Sequence, residues 1–144
     1  MCGICGIIDF NNKVDQNKVA SMMRAMKHRG PDDEGIFSHE NICIGHVRLS
    51  IIDLSKSGHQ PMISDDNRYI ISYNGEIYNY LELKKELKNK YRFYSESDTE
   101  VLLNAYIEWG QDCLDKLNGM FAFVIYDKLE NKIFGARDRY GIKP

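Results

Sequence analysis

One residue near the start of the chain carries a reactive group without needing a partner. If the initiator Met1 is removed, Cys2 becomes the first residue, with a thiol and a free α-amine on one carbon framework. A thiol titrates at about 8.5 and an α-amine at about 7.7–8.0, so a substantial fraction of the amine is neutral at about pH 7.5. It can take the thiol proton, directly or through one water, and later return it to a departing ammonia. No histidine is required. The small residues Cys2 and Gly3 suit removal of Met1. A cysteine at position 2 is usually incidental, so alone this is weak evidence. Cys2 and Cys5 also spell C-x-x-C, but Cys43 and Cys113 stand singly and no histidine pair has ligand spacing. Zinc needs two further ligands, and a thioredoxin-like pair needs a helix N-terminus after a strand. Cys5 therefore reads as a small core residue, and no metal site is expected.

Three other positions offer complementary chemistry. Asn74-Gly75 follows the apolar run Tyr69–Tyr73. Asn-Gly after a strand usually makes a hairpin turn, yet the residues that follow, Ile77–Lys90, are helical in pattern. The sequence thus predicts a strand-to-helix turn with polar groups at the strand end. An Asn amide beside a Gly backbone N–H supplies two donors, as an oxyanion hole needs, and Gly permits close approach to the backbone. Arg48 interrupts an apolar strand pattern, which on local evidence puts it on the solvent face of an edge strand. Its guanidinium would equally suit a carboxylate, held bidentately. Asp98 lies in the first turn of a predicted helix, where the helix dipole explains it, although it could accept from an ammonium. Arg29–Gly35 reads as a polar turn, with Asp32, Asp33 and Glu34 solvated. His28, His39, His46 and His59 read as structural or surface residues.

The elements that must position these groups alternate along the chain. Residues 4–10 and 42–52 read as strands, as do Tyr69–Tyr73, Phe121–Tyr126 and Lys132–Ala136, the last two forming a hairpin through Asp127–Asn131. Val19, Met22, Met23 and Met26 recur at helical spacing, predicting a helix over 16–28 with Asp15 as N-cap. A second helix is expected over 80–89. A third starts at Ser97, where Ser97 and Glu100 match a capping box, with Leu102, Ala105, Tyr106 and Trp109 as its inner stripe. Apolar strands separated by helices imply sheets covered by helical layers.

Composition narrows the class. A length of 144 residues suits one domain, and 43% apolar with 28% charged residues is ordinary for a globular protein. The formal charge of −2 argues against nucleic acid or an anionic membrane as partner. No apolar run approaches the roughly 20 residues that span a bilayer, and the first residues do not resemble a secretory signal. With four cysteines and no signal, a cytoplasmic location is expected.

Taken in order, the motifs Cys2-Gly3-Ile4, His28-Arg29-Gly30-Pro31-Asp32, Arg48–Asp53, Gly58–Met62, Tyr73–Asn79, Ser97–Glu100 and Arg137–Pro144 closely resemble one family. It is the N-terminal glutaminase domain of glutamine-hydrolysing asparagine synthetases, a class II glutamine amidotransferase. The resemblance spans residues 1–144. It implies an α+β fold, the αββα four-layer sandwich of N-terminal-nucleophile hydrolases, truncated here at its C-terminal end. It also implies hydrolysis of L-glutamine to L-glutamate and ammonia. By motif, Cys2 is the nucleophile and Asn74 and Gly75 form the oxyanion hole. Arg48 holds the glutamine α-carboxylate and Glu76 and Asp98 the α-ammonium, while Leu49, Ser50, Ile51 and Ile52 line the pocket. No cofactor is implied for this chain. ATP and Mg belong to the synthetase domain, absent here, to which ammonia would pass, and a homodimer is compatible with the resemblance. Relatives that amidate other carboxylates or cell-surface sugars share nearly all these motifs, as would a non-catalytic relic of the fold.

Overall fold

The computed structural model describes all of residues 1–144. Three strands make the first sheet: β1 (Gly3–Ile8), β2 (Asp33–His39) and β3 (Ile42–Arg48), antiparallel in the order β1-β3-β2. Four make the second: β4 (Met62–Ile63), β5 (Tyr69–Ile77), β6 (Gly119–Asp127) and β7 (Lys132–Arg137), antiparallel in sequence order.

Strand β3 shows how the layers arise. All seven of its residues are buried, because it is the central strand of a sheet covered on both faces. Side chains alternate along a strand. Cys43 and Val47 therefore join Val14, Val19 and Met23 beneath helix α1 (Gln16–Met26), whereas Ile42 and Ile44 meet Ile70 and Tyr126 of the other sheet. Strands β5 and β6 alternate likewise. Ile71, Tyr73, Ile77, Phe121, Phe123 and Ile125 form the main core with helices α2 (Tyr80–Leu87) and α3 (Asp98–Trp109). The order of layers is α1, first sheet, second sheet, then α2 with α3. This is the expected αββα arrangement.

Several local expectations are corrected. Arg48 is not on the solvent face of an edge strand. It ends the row Ile42, Ile44, His46, Arg48 that faces the second sheet, and it is buried. Asn74-Gly75-Glu76 is not a turn but the continuation of β5, paired with Ala122, Phe121 and Met120 of β6. β2 begins at Asp33 inside the stretch read as a polar turn. It is a half-exposed edge strand, so its apolar signal is weak. The strand read over 42–52 ends at Arg48, and 49–52 are loop. Helix α1 stops at Met26, followed by a 3-10 turn (Lys27–Arg29), and Met22 of its predicted stripe is exposed. Asp15 and Ser97 do cap α1 and α3, accepting from Asn17 N–H at 2.9 Å and Thr99 N–H at 3.1 Å. Glu100 closes no capping box. Its carboxylate accepts instead from the N–H groups of Tyr94 (2.9 Å) and Ser95 (2.8 Å) and from Ser95 Oγ (2.7 Å).

Candidate active site

The start of the chain, the end of β3, the far half of β5 and the first turn of α3 converge on a cavity of about 340 Å³. Its lining includes Cys2, Arg48, Leu49, Ile51, Ile52, Asn74, Gly75, Glu76 and Asp98. Ser50 alone among the expected pocket residues lies outside it. Its N–H donates to Asp32 Oδ2 at 2.8 Å, on the other side of Arg48.

Cys2 sits half-buried just before β1. Leu49 N–H is aimed at its sulfur at 3.4 Å, and the thiol reaches Leu49 O at 3.7 Å. Arg29 Nε donates to Cys2 O at 3.0 Å. The loop after β3 and the turn after α1 thus hold the cysteine from two sides. Met1, joined to Cys2 by a peptide bond, also lines the cavity, and Lys143 Nζ lies 3.1 Å from its Sδ.

Opposite stands β5. Asn74 is buried, and its Nδ2 has no hydrogen-bond partner in the protein. Leaving such a donor unpaired costs about 1–3 kcal/mol, and Asn74 lines the cavity. The direction of the Gly75 N–H follows from strand geometry. In an antiparallel ladder, alternate residues turn their N–H groups to the same edge. On the outer edge of β5, Tyr73 N–H is taken by Gln60 Oε1 (2.7 Å) and Ile77 N–H by Asp98 Oδ2 (3.0 Å). Gly75 lies between them. Its partner across the ladder, Phe121, turns its own N–H and C=O to Asp138. The Gly75 N–H therefore faces the edge that β4 leaves open beyond Ile71. Packing by itself requires glycine here. A Cβ would lie 2.4 Å from Met120 O and 2.8 Å from Phe121 Cα.

Charged groups frame the far end. Arg48 Nη1 donates to Ser55 O at 3.0 Å and Nη2 to Asp53 O, so the guanidinium is fixed and still has donors free. Asp53 accepts from Ser55 N–H (2.7 Å) and Glu96 N–H (2.9 Å), tying this loop to the segment before α3. Burial works to raise Asp53, but these donors outweigh it and hold the carboxyl below its usual range. Asp98, 5% exposed, is raised, because burial outweighs the donors from Ile77 N–H and Tyr73 Oη. The Glu76 carboxylate has no hydrogen-bond or ion-pair partner.

The sequence reading missed Tyr73, Gln60, Met120 and Lys143 as cavity residues and Arg29 as a support for Cys2. All but Met120, which precedes the strand read over Phe121–Tyr126, lay inside a motif already singled out, but nothing local distinguished their roles. No group of three or more histidine, cysteine or acidic side chains is placed to hold a metal, and no helix is long and apolar enough to cross a membrane.

Comparison with known proteins gives consistent results. Residues 1–144 match the family described as a glutamine amidotransferase domain. Asparagine synthetase (glutamine-hydrolyzing) 3 of Bacillus subtilis is 45% identical over 149 residues, covering 100% of this chain and 24% of its own length. Asparagine synthetase B (glutamine-hydrolyzing) of Escherichia coli is 40% identical, with 100% and 26% covered. The chain thus spans about a quarter of the length of these curated relatives. Among solved structures, glutamine phosphoribosylpyrophosphate amidotransferase from B. subtilis superposes with a TM-score of 0.81 at 23% identity, covering 100% of this chain and 38% of that one. That likeness establishes a shared fold, with two stacked sheets between helical layers. The end-to-end match, carried on the same fold, makes this chain a member of the glutamine amidotransferase domain family.

Proposed function

We propose that the domain hydrolyses L-glutamine to L-glutamate and ammonia, with Cys2 as nucleophile. The observation that carries this reading is the meeting of a half-buried thiol with an unpartnered, buried amide donor, Asn74 Nδ2, in one cavity. Hydrolysis of the Met1–Cys2 bond frees the α-amine as the base that takes the thiol proton. The sulfur then attacks the side-chain amide carbon of glutamine. Charge developing on the carbonyl oxygen is received by Asn74 Nδ2 and Gly75 N–H. The C–N bond breaks, ammonia leaves with the proton returned by the amine, and a γ-glutamyl thioester remains. Water attacks that thioester, releasing glutamate and restoring the thiol. Arg48, with guanidinium donors to spare, binds the α-carboxylate, while Asp98 and Glu76 receive the α-ammonium. We further propose that the domain works in the cytoplasm as part of a longer chain. In that setting ammonia passes to a synthetase domain, a reading supported by the name asparagine synthetase that its relatives carry, and that domain would use ATP and Mg.

Intact-mass measurement before and after a diazoketone analogue of glutamine tests this. The expected result is a chain lacking Met1 that gains one adduct on Cys2, blocked by excess glutamine and abolished in Cys2→Ala. A Met1-free chain that takes no adduct and releases no ammonia from glutamine would overturn the proposal.

A further inference from the structure

Tyr73 is 2% exposed, and its side chain lies on the helix-facing side of β5. Its phenol O–H donates to Asp98 Oδ2 at 2.7 Å, and the Ile77 N–H donates to the same oxygen at 3.0 Å. No other residue donates to Asp98 Oδ1, although Asp98 lines the cavity. The two carboxylate oxygens are thus in different states, one doubly satisfied by the protein and one open to a ligand. A charged acceptor with two donors on one oxygen is held in a single orientation, and hydrogen bonds to an ionised group are the stronger kind. The ring of Tyr73 also packs under Gly75, where its Cε2 would lie 2.7 Å from a Cβ at that position. One side chain therefore touches both the Asp98 carboxylate and the Gly75 backbone, two parts of the cavity lining.

We propose that Tyr73 is a positioning residue for substrate selectivity. By fixing Asp98 through Oδ2, it presents Oδ1 to a ligand ammonium, so that the cavity prefers an α-amino acid over the same acid without its amine. The inference rests on the glutaminase reading above and adds to it the residue that enforces amino-acid recognition. Tyr73 acts through Asp98 and touches no reacting atom.

The test uses the Met1-free chain and two competitive inhibitors, L-glutamate and its deaminated counterpart glutarate. Tyr73→Phe keeps the ring and removes only the donor. Its expected effect is about a tenfold rise in KM for glutamine, with kcat within about threefold. The preference for glutamate over glutarate should fall by about tenfold, while the glutarate inhibition constant moves less than about twofold. Asp98→Asn supplies the second arm. In that background Tyr73→Phe should change the preference no further, since the two residues act as a unit. Equal weakening of both inhibitors, an unchanged preference, or additive effects of the two substitutions would overturn the role of Tyr73 while leaving glutamine hydrolysis standing. A parent chain that neither hydrolyses glutamine nor distinguishes the inhibitors would instead overturn the glutaminase reading, and this inference with it.

Discussion

At the scale of single residues, Asn74 separates stability from activity. Its Nδ2 is buried without a partner, so the folded protein bears the desolvation of a donor it does not use. Asn74→Ala removes that burden along with the donor. It should leave the melting temperature unchanged or raised while lowering kcat for glutamine by about 10²–10³, the usual cost of one oxyanion donor. Calorimetry and steady-state kinetics on the same preparation check both signs. A loss of activity matched by loss of stability would mean that Asn74 is structural. The candidate thiol, amide and charged groups were legible in the sequence because their chemistry follows from residue type, and the cavity brings most of them together. Their burial was not. Arg48 looked solvent-facing until the row Ile42, Ile44, His46, Arg48 was seen to face a second sheet.

At the scale of elements, two glycines contact the same strand end with different consequences. A Cβ on Gly30, just after the turn that follows α1, would lie 2.2 Å from Val47 C and 2.4 Å from Arg48 N, both backbone atoms that cannot move aside. A Cβ on Gly58, in the 3-10 turn Lys56–Gly58, would meet only the tip of a side chain, Arg48 Nη2, at 2.1 Å. Gly30→Ala should therefore destabilise the fold by about 3 kcal/mol or more. Gly58→Ala should cost less, about 1–3 kcal/mol for the disturbed guanidinium hydrogen bonds, yet displace the guanidinium and raise KM for glutamine by about tenfold. Denaturant unfolding alongside kinetics would tell the two apart. Helices α1 and α3 and the β6–β7 hairpin could be read in advance from spacing and caps, since such signals are local. Strand β2 could not, because an edge strand with charged residues at its start takes its identity from its partner β3.

For the whole molecule, the space between the sheets holds an unusual group. His46 is fully buried there, with Nδ1 2.9 Å from Ser72 Oγ on the facing sheet and Nε2 unpartnered. Burial, aided by the nearby Arg48 charge, pushes its pKa down to about 3. The unfolded chain takes up a proton at about 6.5, the ordinary histidine value, whereas the folded chain does not. Stability is therefore full above about pH 6.5 and falls below it, by up to about 1.4 kcal/mol per pH unit. Denaturation at pH 7 and pH 5 should differ by about 2 kcal/mol, and His46→Gln should remove most of that difference. A difference that survives the substitution would assign the slope to other groups.

What could be read from the chain alone was its candidate chemistry and its local order: the thiol that removal of Met1 would make N-terminal, the Asn-Gly pair, the helix caps and stripes, and a motif order that pointed to one family. These depend on residue identity and short-range spacing, which sequence records directly. Which oxygen of Asp98 is free, why Gly75 tolerates no Cβ, that Ser50 faces away from the cavity and that Asn74 lies within a strand all came from the assembled fold. Each depends on what residues distant in sequence place alongside: Phe121 and Met120 against Gly75, Tyr73 against Asp98, and Asp32 against Ser50. Such neighbours are set by the pairing of strands and the stacking of layers, and no local pattern encodes them.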